Sequence, residues 1–277
     1  MQSQLLISQT TCSKTFGRLF GVSLILFGQI EKPTGISMKL LDRSGANTKL
    51  RKTNNKELNL HFAGLSLHPD NDVCYGAKAA GCMEDCLKGS GLGAVYPKIN
   101  IARRAKTDFY LSDQAGFLKQ LRRELTNYVK WCAKKKLHGV VRLNVLSDIS
   151  WENHNIPQDF PELSFYDYTK VAKRFHKSLP SNYKLMFSYS GKPTYKKQVL
   201  SFLKSGSDAS VAVVFNRRPF PATFMGRDVI DGDASDWVNV NNKGVVVGLT
   251  AKGPAKRNSN GFVVDVSSIP VIAIGGM

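Results

Sequence analysis

The stretch VVRLNVLSD, residues 140–148, has the composition of a buried β-strand that ends in polar residues. Its apolar and β-branched residues favour extended backbone, and two polar residues close the run. Upstream, residues 112–137 carry apolar side chains at intervals of three and four, which predicts an amphipathic helix capped by Ser112 or Asp113. A helix that leads directly into a strand is half of a βαβ unit.

The same alternation extends in both directions from this stretch. Upstream, ELNLHFAGLSLHP at residues 57–69 alternates apolar and polar residues, as a strand does. Downstream, a second helix is predicted at 194–206, with Thr194 as its cap. Four further strands are predicted at 164–170, 183–190, 209–216 and 244–252. This pattern indicates an α/β fold with a mainly parallel sheet, and six strands favour a complete or partial parallel (β/α) barrel.

The predicted strands end in polar residues with reactive side chains. In parallel α/β folds the carboxyl ends of the strands meet at one face, where ligands bind. The alternative is that strands end in polar residues only because loops are exposed. On the first interpretation the predicted catalytic residues are Asp148, Lys170 and Tyr189, and the predicted cofactor-binding residues are Arg142, Asn144 and Ser190.

Three of the five cysteines lie in the thirteen residues CYGAKAAGCMEDC, directly after the first predicted strand. Glycines mark this segment as a loop. Thiolates are soft ligands, which select zinc, copper(I) or iron–sulfur clusters over magnesium or calcium. Cys74, Cys82 and Cys86 are therefore the predicted metal ligands. The odd number of cysteines indicates a reducing, intracellular setting.

Three interpretations of these cysteines stay open. Three thiolates without an obvious fourth ligand fit a [4Fe–4S] cluster with one open iron. Structural zinc is the alternative and needs four ligands, the fourth supplied by His68 or by a distant residue. The thiols could also bind no metal and be regulatory. Cys132 lies on the apolar stripe of the predicted helix, which indicates a core position.

The net charge of +18 is unusually high for a chain of 277 residues. A protein this basic commonly binds a polyanion, and nucleic acid is the predicted partner. The basic runs KLRK (49–52), ARRAK (102–106) and AKKK (133–136) are the predicted phosphate contacts. No apolar run reaches the roughly 18 residues that span a bilayer, so no membrane partner is predicted. The oligomeric state is left open.

The ends of the chain and one insertion carry separate predictions. Residues 1–37 are predicted to be a non-native or disordered extension, because Met38 begins a stretch that resembles a natural start. Residues 38–58 are predicted to be a basic flexible arm, and 59–277 an α/β domain. The insertion at 217–243 contains Asp228, Asp231, Asp233 and Asp236. These carboxylates could bind a hard cation, although turn formation explains the same residues.

No familiar enzyme motif is present: G-x-S-x-G, Walker A, H-E-x-x-H and a well-placed G-x-G-x-x-G are all missing. The order of several segments instead resembles the phage-encoded gene product 88-like proteins over residues 46–262. The segments are NTKLRKTNN, LSLHP, the cysteine segment, YPKINIARRAKTDF, VRLNVLSDISWE, SFYDYTK and MFSYS. The resemblance implies a bacteriophage protein that acts in the cytoplasm of the bacterial host.

That family is in turn distantly similar to radical S-adenosylmethionine enzymes. The similarity implies a partial barrel, a [4Fe–4S] cluster on Cys74, Cys82 and Cys86, and S-adenosylmethionine as cofactor. The spacing here is C-x7-C-x3-C, where those enzymes use C-x3-C-x2-C. The expected function is a radical-type enzyme acting on a nucleotide, nucleic acid or peptide. The alternative is a basic nucleic-acid-binding protein for replication or host takeover, with structural zinc or no metal.

Overall fold

The computed structural model describes residues 38–43, 59–69, 72–234, 241–257 and 260–269. Within these residues the chain forms an α/β fold with nine strands in one sheet. The strands are β1 (Leu41–Arg43), β2 (Leu60–Leu65), β3 (His138–Arg142), β4 (Ser164–Thr169), β5 (Tyr183–Ser188), β6 (Val211–Phe215), β7 (Thr223–Phe224), β8 (Arg227–Asp231) and β9 (Val246–Thr250). The α-helices are α1 (Ala77–Ala80), α2 (Leu92–Val95), α3 (Pro97–Ser112), α4 (Gln114–Lys135), α5 (Ile156–Asp159) and α6 (Lys196–Lys204).

The sheet is mostly parallel. Its strand order is β1-β2-β3-β4-β5-β6-β9-β8-β7, and every pair from β2 to β8 is parallel, whereas β1 and β7 pair antiparallel at the two ends. Five consecutive strands, β2 to β6, are also neighbours in space. Each crossover therefore moves to the next position in one direction, and since such crossovers are nearly always right-handed, the connections are expected on one face.

The two faces of the sheet are packed differently. One face packs against helices: Val141 and Phe165 lie in one core cluster with Leu121 of α4. The other face carries Phe62, Val140 and other strand residues in a cluster that contains no residue of a described helix. A sheet whose own side chains fill one face is the packing expected of a curved sheet.

The α/β class and the mostly parallel sheet are confirmed, and closure into a barrel is not shown. Among the described residues β1 and β7 stand at opposite ends of the strand order and do not pair with each other. All six predicted strands form, with shifted bounds. The segment 140–148 leaves the sheet after Arg142, because the Asn144 amide bonds to the backbone of Ile149 and turns the chain.

The predictions for the two helices had different outcomes. Asp113 caps α4 as predicted, since its side chain accepts the N–H of Gly116 at 2.9 Å. Thr194 was the wrong cap for α6, which begins after Tyr195. The Thr194 hydroxyl instead donates to the carbonyl of Ala79. The helix α3 and the strands β1, β7 and β8 were not predicted.

Part of the predicted flexible arm is ordered by contacts with α3 and α4. Leu41–Arg43 form β1, so the first predicted strand is the second strand of the sheet. The Glu124 carboxylate accepts the backbone N–H groups of Leu40 and Leu41 at 2.8 to 3.1 Å. Residues 44–58, which include the run KLRK, and residues 1–37 lie outside the described residues.

None of the helices in the described part of the chain combines the length and the apolar composition that crossing a membrane requires.

Leu121 of α4 tests the main core. Its side chain is fully buried among residues of α4 and the sheet, so Leu121→Ala should lower the free energy of unfolding by about 2–5 kcal/mol. Urea unfolding followed by circular dichroism measures the loss. The matched control is Asn127→Ala on the exposed side of the same helix, which should change stability by no more than about 0.5 kcal/mol. Equal effects of the two substitutions would contradict this packing.

Candidate functional site

A cavity lies at the carboxyl ends of β3, β4, β5, β6 and β9. It encloses about 1070 Å³ when the solvent at its open mouth is counted. Its lining is mostly apolar and includes Val214, Leu249 and Phe262. This is the face at which the polar strand ends were predicted to meet.

The three clustered cysteines line this one cavity. Cys74, Cys82 and Cys86 are half-buried, and none is in a disulfide. Burial raises the pKa of Cys74 well above its usual range. The Asp148 carboxylate and the other two thiols raise this pKa further, while the Lys170 ammonium opposes them. Without a cation the Cys74 sulfur is therefore a protonated thiol, and a bound metal would have to displace its proton.

The segment that carries the cysteines is not wholly a loop, because it contains α1. Side chains and backbone from three later parts of the chain hold its carbonyl oxygens. The bonds are Asp148 N to Val73 O at 2.7 Å, Thr194 Oγ1 to Ala79 O at 2.6 Å, Ser190 Oγ to Ala80 O at 2.7 Å and Asn260 Nδ2 to Gly81 O at 2.8 Å. The position of the thiols is therefore set by long-range contacts.

The donor set decides which metal centre the residues present fit. In the described residues no group of three or more His, Cys, Asp or Glu side chains is arranged to hold a metal ion. A tetrahedral zinc ion needs four ligands, with sulfurs roughly 3.8 Å apart for Zn–S bonds of about 2.3 Å. His68 does not line the cavity, and its backbone is held by Thr107.

A [4Fe–4S] cluster is larger than a zinc ion. Each cysteine ligand binds a different iron of the cluster, so the three sulfurs stand farther apart than around one ion. Three thiols line one cavity, as a cluster with three cysteine ligands requires, and Asp85 and Asp148 line the same cavity.

Asp148 joins the end of β3 to the end of β4. Its buried carboxylate accepts the backbone N–H of Lys170 at 2.7 Å and Nη1 of Arg174 at 3.2 Å. Arg174 is buried as well and forms a two-pronged pair with Glu152 at 2.9 and 2.7 Å. Burial raises the pKa of Asp148, and Arg174 opposes the rise. Asp148 thus positions the backbone around the cavity.

Asn144 uses both ends of its amide within the fold. Its Oδ1 accepts bonds from Ser147 Oγ, Ile149 N and Trp151 Nε1 at 2.9 to 3.1 Å. Its Nδ2 donates to Ile149 O and to Asp167 Oδ2. Asn144 lines the cavity, and these bonds shape the turn after β3.

Two buried cations line the cavity near the thiols. Lys170 Nζ donates to Ser188 Oγ at 2.9 Å and lies 5.0 Å from the ring centre of Phe262. The Arg142 guanidinium lies over the Tyr168 ring at 4.4 Å. Positive charge in a mainly apolar cavity favours thiolates, a negatively charged cluster or an anionic ligand group.

Two of the predicted site residues lie elsewhere. Ser190 is fully buried beneath α1, where it anchors the cysteine segment. Tyr189 lines a second cavity and packs against Phe224, with the ring centres 5.3 Å apart. Neither residue lines the cavity that holds the cysteines. Adjacent residues at the end of β5 point in different directions, which a strand-end pattern does not reveal.

The acidic insertion forms ion pairs. Arg218 makes a two-pronged pair with Asp231 at 2.6 and 2.8 Å. Asp233 accepts Lys252 Nζ at 2.5 Å and the backbone N–H of Thr250 at 2.8 Å. Asp228 is exposed on β8, and Asp236 lies outside the described residues. Arginine and lysine thus pair with Asp231 and Asp233, two of the four carboxylates for which a hard cation was considered.

Sequence reasoning missed Phe262, Arg174 and Asp167. Phe262 reaches the cavity from a segment far from the strands that form it. Arg174 lies in the basic stretch KVAKRFHK at residues 170–177, a composition typical of an exposed segment, yet it is 5% exposed. Asp167 lies in the middle of β4, where alternation could have marked it as facing inward.

Comparison with known proteins identifies the family. A family model described as Gene product 88 matches residues 38–266. No curated protein matches the chain significantly, and no solved structure does.

Asp148 should be far more important for stability than an exposed aspartate. Asp148→Ala removes a buried partner of Arg174 and should cost about 3 kcal/mol or more of unfolding free energy. The matched control is Asp208→Ala, which breaks an exposed pair with Lys243 and should cost about 1 kcal/mol or less. Chemical denaturation of both variants measures the difference. Similar losses would show that the buried network does not stabilise the site.

The buried Asp167 carboxyl should titrate near neutral pH. Burial raises its pKa to about 7, although Arg142 and the bonds from Asn144 and Tyr183 oppose the rise. Because the folded pKa exceeds the ordinary value, the proton stabilises the fold fully below about pH 4, and this contribution is lost as pH rises through 7. Carboxyl NMR should show one aspartate titrating near 7 that disappears in Asp167→Asn. Titration of every aspartate below pH 5 would contradict this.

Proposed function

The chain belongs to the gene product 88 family, and we propose that it is an iron–sulfur enzyme whose [4Fe–4S] cluster is bound by Cys74, Cys82 and Cys86. One observation carries the proposal. Three thiols from a single short segment line one cavity at the carboxyl ends of the parallel strands, which is where α/β enzymes bind their substrates. In the reducing cytoplasm of a bacterial host of the phage, these thiols would stay available to iron.

The remaining residues of the cavity suit such a centre. When bound, a cluster with three cysteine ligands supplies electron transfer and one iron that is open to a ligand. The Lys170 ammonium offsets negative charge at the sulfurs, as its effect on the Cys74 pKa indicates. Asp148 forms hydrogen bonds with the backbone of Val73 and of Lys170, so it fixes the first cysteine and this lysine relative to each other.

The ligand and substrate follow from the shape and charge of the cavity. Its apolar lining suits a ring or an aliphatic chain, and Arg142 beside Tyr168 suits an anionic group. S-adenosylmethionine has both features and is the cofactor that we propose. A nucleotide, a nucleic acid or a peptide is the proposed substrate class, and a nucleotide or nucleic acid agrees best with the net charge of +18.

The second candidate is a nucleic-acid-binding protein with structural zinc or no metal. The high net charge favours it, and it requires no cluster. It differs from the enzyme proposal in one measurable quantity, which is the metal content. The two functions can also coexist, because an enzyme that acts on nucleic acid is expected to be basic.

Metal analysis of protein reconstituted without oxygen tests the proposal. Iron and sulfide should be taken up at about four each per chain, with a brown colour. The variants Cys74→Ala, Cys82→Ala and Cys86→Ala should each lose most of the iron. The matched control is Cys132→Ala, because Cys132 is buried in the core on α4 and should not affect iron content.

Zinc alone, or no metal, would overturn the cluster and leave the binding-protein alternative. Equal iron loss in Cys132→Ala would show that the loss comes from unfolding. The reduced, reconstituted protein is then incubated with S-adenosylmethionine. Cleavage supports the proposed cofactor, and an intact cofactor in the presence of a full cluster would remove that part of the proposal alone.

A further inference from the structure

The helix α4 has one apolar side and one strongly basic side. Phe117, Leu121, Leu125, Tyr128 and Cys132 are buried against the sheet. At 3.6 residues per turn, Lys119, Arg123, Lys130 and Lys134 lie on the opposite side of the helix. All four are exposed. These four residues are called the α4 basic face below.

The positive charge of this face is not neutralised within the described part of the chain. None of its four side chains is in an ion pair with a described residue, whereas their neighbour Arg122 pairs with Asp159. The acidic residues of the region are used elsewhere: Glu124 binds the backbone of β1, and Asp113 caps the helix. The face is therefore a stripe of cations without carboxylates.

We propose that the α4 basic face binds double-stranded nucleic acid through its phosphates. From Lys119 to Lys134 the stripe is about 22 Å long, at about 1.5 Å per residue. A duplex presents about one negative charge per 1.7 Å of its axis, so four cations along this length can each contact a phosphate. The exposed Asn127 lies between the cations, and its amide suits a hydrogen bond to phosphate or sugar.

The composition of the face favours a duplex over other polyanions. Exposed large hydrophobic residues are present in the described residues, but none of them is on α4. A membrane-binding helix needs apolar side chains to insert, and a single-stranded site needs aromatic rings for stacking. The nearby Trp131 is half-buried and packs on His61. The composition of the face therefore favours contacts with the phosphates of a duplex and not with its bases.

The basic run ARRAK does not form such a surface, and the run KLRK (49–52) lies outside the described residues. In ARRAK (102–106), Lys106 is buried and donates to Leu40 O and Asp42. Arg103 is half-buried and donates to Asn100. The α4 basic face also contributes nothing to the lining of the cysteine cavity. The inference therefore stands apart from the proposed enzyme and does not depend on the cluster.

Duplex binding by two matched variants tests the inference. The first replaces the face: Lys119→Gln, Arg123→Gln, Lys130→Gln and Lys134→Gln. The control removes the same number of positive charges, four, in or near α6. Its substitutions, all at exposed residues, are Lys177→Gln, Lys196→Gln, Lys197→Gln and Lys204→Gln. Binding to a mixed-sequence DNA duplex of about 25 base pairs is measured by fluorescence anisotropy from about 50 to 200 mM salt. Circular dichroism checks that both variants are folded, and vesicles of phosphatidylserine and phosphatidylcholine are the membrane probe.

For the unchanged protein, four phosphate contacts should give a slope of log affinity against log salt of about −4, or a loss of roughly 100-fold over this range. The face variant should bind at least about 10-fold more weakly with a shallower slope, and the α6-side control should stay within about threefold. Equal weakening by both variants would mean that only net charge matters, and it would overturn the assignment. So would undiminished binding by the face variant, no duplex binding at low salt, or binding to vesicles alone. Iron content plays no part in this measurement, so its outcome is independent of the cluster.

Discussion

The buried carboxylate of Asp148 is the contact on which the cavity depends. The backbone N–H of Asp148 donates to the carbonyl of Val73, next to the first cysteine. The Asp148 carboxylate accepts hydrogen bonds from the backbone N–H of Lys170 and from the guanidinium of Arg174. Three separate stretches of chain therefore meet at one residue. A buried charge is tolerated only with such partners, because an unpaired carboxylate in the interior is very unfavourable. Because each buried charge must be paired, the side chains of this network are confined to one arrangement.

The cavity combines sulfur and positive charge in an apolar setting. Burial is the main cause that raises the pKa of Cys74 and keeps its thiol protonated, and Lys170 opposes this effect only in part. A metal centre would reverse the balance, because it binds the deprotonated form. The charge of the proposed cluster would be offset by the two cations of the cavity. The ion pairs of Asp231 and Asp233 give the acidic insertion a structural role.

The fold separates two surfaces that the net charge alone cannot distinguish. Consecutive parallel strands bring the strand ends to one edge, where the cavity lies. The helix α4 packs its apolar side on the sheet and leaves its basic side outward, away from the lining of the cavity. The proposed reaction in the cavity and the proposed duplex binding by the α4 basic face would thus use different parts of one small protein. The buried Lys106 shows that a basic run in the sequence is not always a basic surface.

Local sequence patterns were enough to predict the α/β class, the six main strands, a helix cap at Ser112 or Asp113 and the candidate set of three cysteines. Each of these rests on local periodicity or on residue type, which neighbouring residues specify. Long-range contacts, in contrast, bring Ser190 to the cysteine segment, turn Tyr189 to a second cavity, and add Arg174 and Phe262 to the site. The edge strands β1, β7 and β8 were equally hidden, since short strands form when a neighbour offers backbone partners. Contacts between residues far apart in the chain leave no periodic trace, so their geometry exists only once the chain has folded.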